Sequence, residues 1–111
     1  MGSDATQPFI RARIKTGFYT GNGADDRSID IGIDLASKNN VWVIIRNATT
    51  NPPGIHRTER GQGDISDYFQ SDTSVANMVQ SFTNTGFQVG SDPAVNQNAS
   101  AIVFIAIWSE P

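Results

Sequence analysis

The chain contains no cysteine and a single histidine, His56, and both scarcities narrow its chemistry. Without cysteine there is neither a disulfide nor a thiolate, so the stability of the fold has to come from packing or from neighbouring chains. A hydrolase or transferase needs a nucleophile beside a base, a pair of carboxylates or a metal cluster. A lone histidine excludes most pairs of nucleophile and base, and we interpret His56 as a solvated residue of a loop or an edge strand. The sequence therefore predicts a protein that is not an enzyme and has no catalytic residues.

Charged residues are also scarce, at 17% of the chain, and they form no basic surface. Eight lysines and arginines stand against 11 aspartates and glutamates, which gives a formal charge of −3 and an isoelectric point near 4.8. Nucleic-acid binding needs clustered basic side chains that displace counterions from phosphates. The two local groups of basic residues, at 11–15 and 56–60, are broken up by neutral or acidic residues. We therefore expect no nucleic-acid partner.

No stretch of about 18 apolar residues occurs, so the sequence predicts no membrane-spanning segment. The first eight residues also lack the basic and apolar regions of a secretory signal. Asp25 and Asp26, together with Asp72 or Asp92, have the oxygen ligands that Ca²⁺ prefers. Their spacing fits no EF-hand, and we interpret them as solvated turn residues. No metal and no cofactor is expected.

Short strand patterns separated by turn residues are what the sequence does contain. Apolar and polar residues alternate without exception at 28–35, and apolar residues alternate with basic ones at 9–19, with the basic side chains toward solvent. The runs 41–45 and 101–108 are wholly apolar, which favours central buried strands. We expect the run at 101–108 to be buried on both faces or covered by a partner subunit. Both tryptophans lie in these runs and are predicted to be core residues, Trp42 and Trp108.

The remaining patterns complete an all-β reading of the chain. They predict a short polar strand at 55–60, a strand near Tyr68 and Phe69, a hairpin at 79–89 and a polar loop at 92–100. Strands about 10 residues apart indicate an antiparallel β-sandwich, jelly-roll-like, or a flattened barrel. Residues 1–8 are interpreted as an N-terminal arm and residues 9–111 as a single β domain.

Five residues are candidates for contact with a ligand or partner. Tyr19 and Tyr68 combine an aromatic ring with a polar group beside predicted loops, as residues that stack on sugars or anchor interfaces do. Asn22 lies in a glycine-rich turn, and His56 and Arg57 lie together in a short polar segment. The sequence predicts exposed contacts for the two tyrosines and contact with a ligand or partner for all five.

Three segments, taken in order, carry a resemblance to a known family. Residues 15–23, Lys-Thr-Gly-Phe-Tyr-Thr-Gly-Asn-Gly, come first. Arg60-Gly61 and the stretch 68–77 follow, and residues 81–92 with Val95-Asn96 and the apolar strand ending at Trp108 come last. Together, over about residues 13–108, they resemble a small β-rich domain common in the virion proteins of tailed bacteriophages. The glycines of these segments are interpreted as turn positions: Gly17, Gly21, Gly23, Gly86 and Gly90.

The resemblance implies a structural role on the virion surface, with no catalytic residues to carry over. Because the chain has no fibre shaft, we expect a capsid-decorating or accessory protein that binds other capsid or tail proteins and stabilises the particle. We also expect a homo-oligomer, with a trimer as the first hypothesis. The alternative is a receptor-binding domain of a tail fibre that recognises host surface glycans. A third hypothesis, a small hydrolase fragment, requires His56 for activity.

Overall fold

A computed structural model of the chain describes residues 12–49, 54–58, 63–70 and 73–110. Nine strands, one 3-10 turn and one single-turn α-helix occur in these ranges. The predicted N-terminal arm at 1–8 lies outside the described residues. In chain order the elements are β1 (Ala12–Thr20), β2 (Arg27–Asp30), a 3-10 turn (Leu35–Ser37), β3 (Asn39–Asn47), β4 (Ile55–Thr58), β5 (Ser66–Tyr68), β6 (Ser74–Val75), β7 (Val79–Phe82), β8 (Gly86–Val89), α1 (Pro93–Asn96) and β9 (Ala101–Ser109).

The strands form two antiparallel sheets. The large sheet has the order β1-β9-β3-β4-β5-β6 and the small sheet the order β2-β8-β7. The last strand, β9, lies between β1 and β3 and pairs with both along most of its length. The two sheets pack together, so the fold is the all-β antiparallel sandwich that the sequence predicts.

The core lies between the two sheets. Alternate side chains of β3 and β9 point toward the small sheet, and the rings of Phe104 and Phe87 meet edge to face across the gap at 5.7 Å. Removing apolar surface from water is the main favourable term here, at about 25 cal/mol per Å². The fully buried side chains of the two central strands and of the small sheet include Val41, Val43, Ile45, Ile102, Val79, Phe87 and Val89.

The alternating pattern at 28–35 is a strand only as far as Asp30. The Asp30 carboxylate accepts a hydrogen bond of 2.9 Å from the Gly32 N–H, and Gly32 has a φ of 75° that ends extended structure. A 3-10 turn follows at Leu35. The alternation still describes burial, because Ile29, Ile31 and Leu35 are buried in the core.

The structure confirms the predicted hairpin at 79–89 and corrects the predicted loop at 92–100. The hairpin at 79–89 is confirmed, with β7 and β8 joined through residues 83–85. The predicted polar loop at 92–100 was wrong in part, because residues 93–96 form the single-turn helix α1. The Asp92 carboxylate accepts a hydrogen bond of 2.8 Å from the Ala94 N–H, and Pro93 occupies the first helical position, which together fix the turn.

The orientation predicted for β1 was wrong. Lys15 pairs with Ala106, which is buried, whereas Ile14 pairs with Ile107 on the opposite side of the sheet and is 64% exposed. The basic side chains of β1 are therefore on the core side, and the Lys15 ammonium donates a 2.7 Å hydrogen bond to the Ile31 carbonyl. The reason is position: β1 is an edge strand, where long basic side chains reach solvent from either side.

Candidate interaction surface on the large sheet

One side of the large sheet points away from the core, and we call this side of β1, β9, β3 and β4 the outer face. Directly opposite residues of neighbouring strands lie on the same side of a sheet, so the strand registers define its members. They form three rows across the strands: Phe18, Val103 and Arg46; Thr16, Ile105, Ile44 and His56; Ile14, Ile107, Trp42 and Thr58.

The outer face is apolar because the runs 41–45 and 101–108 are apolar at every position. Alternate residues of such a run fill the core, and the others have to point outward. Phe18 is 72% exposed, and Trp42, Val103 and Ile105 are each more than a third exposed. Antiparallel sheets that face water normally carry polar side chains on that side. A continuous exposed apolar surface marks a site of contact with another molecule.

These observations decide two of the predictions from sequence. The run at 101–108 is not buried on both faces within the single chain, since Val103 and Ile105 are exposed, and cover by a partner stays a prediction. The core position predicted for Trp108 is confirmed, with 5% of the residue exposed, whereas that for Trp42 was wrong, with 39% exposed. Trp42 is on the outer face because it pairs with Ile107 and not with a core residue of β9.

A groove of about 600 Å³ crosses the outer face. It runs from Phe18 of β1 over Val103 and Ile105 of β9 to Arg46 of β3. Arg46 is the one residue with a fixed charge among the eleven that define the outer face. The groove therefore offers an apolar lining with a single cation at one side.

His56 lies at the other side of the outer face, packed between two aromatic rings. Its ring centroid is 4.5 Å from that of Phe69 and 5.7 Å from that of Trp42. Its Nδ1 atom is buried and has no hydrogen-bond partner among the described residues. The interpretation of His56 as a solvated residue was wrong, since β4 lies inside the sheet. Within the described ranges no hydrogen bond to a carboxylate orients the ring: Asp67, directly opposite His56 on β5, accepts a hydrogen bond of 2.6 Å from the Ser74 hydroxyl.

The structure places Tyr19 partly buried against the core. Its hydroxyl donates a hydrogen bond of 2.8 Å to the Val95 carbonyl, and its ring packs against Phe87 and Phe104. Burial raises the pKa of the Tyr19 phenol, and the positive charge of Arg27 partly offsets that effect. The polar group that suggested an exposed contact is used within the fold.

Arg57 is also internal, with 8% of the residue exposed. Its guanidinium donates hydrogen bonds to the carbonyl oxygens of Gly63 at 2.6 Å and Ile65 at 3.0 Å. Burial lowers the pKa of Arg57, and the nearby charge of Asp64 opposes this effect. Arg57 thus ties β4 to the segment that leads into β5.

The five candidate contact residues do not form one site. Asn22 is exposed in the connection between β1 and β2, and Tyr68 is half-buried against the core at the end of β5. His56 and Arg57 are neighbours in one strand and point to opposite sides of the sheet. Of the five, only His56 belongs to the outer face, and the contact roles of the others stay predictions.

Sequence reasoning missed most of the surface that the structure exposes. The signal was present in the uninterrupted apolar runs at 41–45 and 101–108, which contain twice the apolar side chains that one core face can take. The sequence leads to a prediction of cover by a partner only for the run at 101–108. Phe18 gave no signal, because a single aromatic residue in an edge strand is common.

The aspartates considered as Ca²⁺ ligands are bound to amide groups. The Gln80 side chain donates to Asp25 at 3.3 Å and to Asp64 at 3.2 Å, and Gln88 donates to Asp26 at 3.4 Å. Asp92 caps α1, and Asp72 lies outside the described residues. In the part of the chain that the structure describes, no three histidine, aspartate or glutamate residues come together as a metal site.

Neither of the two short helical turns in the described ranges has the length to cross a membrane. The chain matches no protein-family model, no curated protein and no solved structure. Its function therefore has to be inferred from the outer face and from the sequence segments described above.

Proposed function

We propose that this protein is a non-enzymatic structural module that joins a larger protein assembly by burying the outer face of its large sheet. The observation that carries the proposal is the exposed apolar surface formed by three adjacent strands. Ile105 lies at its centre, and Phe18 and Trp42 lie toward its two ends. Burying one large apolar side chain contributes about 1.5–3 kcal/mol, so a surface of this kind is sufficient to hold a partner.

We further propose that the assembly is the surface of a tailed bacteriophage virion, where the chain is a capsid-decorating or accessory protein. The support is the order and spacing of the three resembling sequence segments. In this role the mechanism is mechanical: contacts buried between subunits raise the free energy needed to separate them. The role needs no catalytic residue.

Recognition of host glycans by a tail fibre is the second candidate function, and the structure offers it less support. That alternative depends on tyrosine side chains at exposed loops, and the Tyr19 hydroxyl is bonded to Val95 inside the fold. Exposed aromatic rings do occur at Trp42 and Phe69, but they adjoin an apolar surface. Sugar sites combine such rings with several polar groups that bind hydroxyls.

The test is to count copies of the chain on purified virions by quantitative mass spectrometry. We expect a fixed number of copies per particle for the natural chain. The variant Ile105→Glu, which puts a charge at the centre of the outer face, should be lost from the particles. The matched control Asn84→Glu puts the same charge in an exposed hairpin turn and should be retained. Recovery of the natural chain only in the soluble fraction would contradict the virion role.

A further inference from the structure

We propose that the outer face is covered by the outer face of a second copy of this chain, in a two-fold dimer with the two large sheets packed face to face. The inference rests on the proposed function and adds the identity of the partner: the chain joins the assembly as a dimer, in which the outer faces of the two copies are buried against each other.

The size of the outer face fits a dimer interface. It spans four strands, of which β1, β9 and β3 have nine residues each. Strand spacing and rise give a face about 19 Å wide and about 30 Å long, narrowing at the shorter β4. Two such faces contribute about 1,000 Å² before side-chain relief is added, which reaches the lower limit of about 1,000 Å² for a specific interface.

The composition of the outer face selects a partner surface of the same kind. Its residues include no acid and one arginine, and homodimer interfaces are the most apolar class. The opposite side of the molecule does not match, because the small sheet exposes Ser28 and Asp30 and carries Gln88 beside them. A head-to-tail contact needs two different complementary surfaces, whereas an isologous contact needs one. The outer face therefore fits itself.

The positions of the three rows make the face self-complementary under one two-fold axis. If the axis runs across the strands through the middle row, at Ile105 and Ile44, the row that contains Arg46 lies over the partner's row that contains Trp42, with β3 over β3. Each guanidinium then meets an indole ring, a favourable cation–π pair, and the two arginines stay apart. The groove beside Arg46 gives the partner's Trp42 a place to enter.

This geometry favours a dimer over the trimer expected from the sequence. One copy covers the whole outer face of another, because every row finds its counterpart. A ring of three would divide the face between two neighbours, so each contact would bury about half of that area, below the limit of about 1,000 Å² for a specific interface.

Sedimentation equilibrium of the full chain over a dilution series tests the proposal. The expected mass is twice that of the 12.0 kDa chain, falling toward one chain on dilution. Ile105→Glu should be monomeric with an unchanged circular dichroism spectrum, and Asn84→Glu should remain a dimer. Phe18→Lys gives a second disruption at a position 72% exposed, where folding is not at stake. A natural chain that stays monomeric throughout, or a trimer mass, overturns the proposal.

Tryptophan fluorescence tests which face is used. In Trp108→Phe, Trp42 is the only tryptophan left. Its emission should shift to shorter wavelength and its quenching by acrylamide should fall as the dimer forms, with neither change in the background of Phe18→Lys. A dimer that leaves both readings unchanged would use another surface, and the proposal would be wrong.

The two proposals fail in different ways. A chain that is monomeric in solution but is found on virions, and is lost from them in Ile105→Glu, keeps the proposed function and overturns the second copy as the partner. A chain that dimerises as described but is absent from virions keeps the dimer and overturns the virion role.

Discussion

The hydroxyl of Tyr19 donates a hydrogen bond of 2.8 Å to the main-chain carbonyl of Val95, 76 residues away in the sequence. The bond joins the end of β1 to α1, and the ring of Tyr19 packs against Phe87 of the small sheet and Phe104 of the large sheet. The guanidinium of Arg27 lies 5.4 Å from the ring centroid and adds a cation–π contact. Tyr19 therefore connects four parts of the fold at one point.

The phenol of Tyr19 should resist ionisation as long as the protein is folded. Burial raises its pKa above the ordinary value of about 10, the value expected in the unfolded chain. Because the folded-state pKa is the higher one, this contribution to stability is complete below pH 10 and is lost as the pH rises above it. In Tyr68→Phe, where Tyr19 is the only tyrosine, the phenolate absorbance should appear only together with loss of the folded circular dichroism signal.

The control for this titration is Tyr19→Phe. It removes one buried hydrogen bond and should lower the free energy of unfolding at pH 7 by about 1–2 kcal/mol, measured with urea. Its stability should depend less steeply on pH above 10 than that of the natural chain. Ionisation of Tyr19 near pH 10 in folded Tyr68→Phe would show that the phenol is open to solvent.

Asn96 is completely buried and organises the connection between β1 and β2. Its Oδ1 accepts hydrogen bonds from the Asn22 N–H at 3.0 Å and from Arg27 at 2.9 Å, and its Nδ2 donates to the Ala24 carbonyl at 2.7 Å. Asn96→Ala should lower the free energy of unfolding by about 2–4 kcal/mol, because it leaves several partners unpaired. Asn98→Ala, two residues further on and exposed, is the matched control, and equal losses in the two variants would argue against this role.

Arg57→Lys tests whether the planar guanidinium is required. Arg57 donates from one nitrogen to the Gly63 and Ile65 carbonyls and packs over the ring of Phe82 at 5.7 Å. A lysine ammonium lacks the flat surface that packs over Phe82, so we expect a loss of about 1–3 kcal/mol in urea unfolding. Arg13→Lys makes the same change at an exposed position of β1 and should be close to neutral. An Arg57→Lys protein as stable as the natural one would mean that charge alone suffices.

The fold could be predicted from the sequence because strand and turn patterns are local. Alternation, β-branched runs and turn residues located β1, β3, β4, β5, β9 and the hairpin of β7 and β8. The segment after Asp30 could not be predicted, since its course depends on the Thr85 carbonyl, which accepts the N–H groups of Ile31 and Gly32. That contact joins residues more than 50 positions apart, and no local pattern records it.

The interaction surface was harder to predict for a different reason. In the run 101–108 both alternating sets are apolar, so periodicity does not say which set meets the small sheet. In β1 the periodicity predicts the wrong set of side chains for the core side. The reason is that neither side of an edge strand is covered well enough to require apolar residues there. Residue type misled for Tyr19 and Arg57, whose polar groups look the same in a sequence whether they meet a partner or a carbonyl of the fold itself. The partner of Tyr19 lies 76 residues away, and those of Arg57 include the Val79 carbonyl, 22 residues away.

Gly86, which the sequence indicates as a turn position, is required for a different reason. Its backbone is extended and pairs with Asp30 in the small sheet, so no positive φ requires glycine there. A β-carbon at this position would overlap the main-chain carbonyl oxygen of Ile29. The strands β2 and β8 can therefore pair at this point because Gly86 has no side chain.

Gly86→Ala should destabilise the protein by about 1–3 kcal/mol or more, because the strands β2 and β8 have to move apart to admit the methyl group. Gly54→Ala is the control: its β-carbon would lie 3.6 Å from Cδ2 of Phe69, an ordinary contact, and its stability should change by less than about 0.5 kcal/mol. Urea unfolding measures both, and amide hydrogen exchange of Ile29 and Phe87 should be faster in Gly86→Ala alone. If Gly86→Ala is as stable as Gly54→Ala, the two strands are not in the close contact described, and Gly86 is better explained as a turn position.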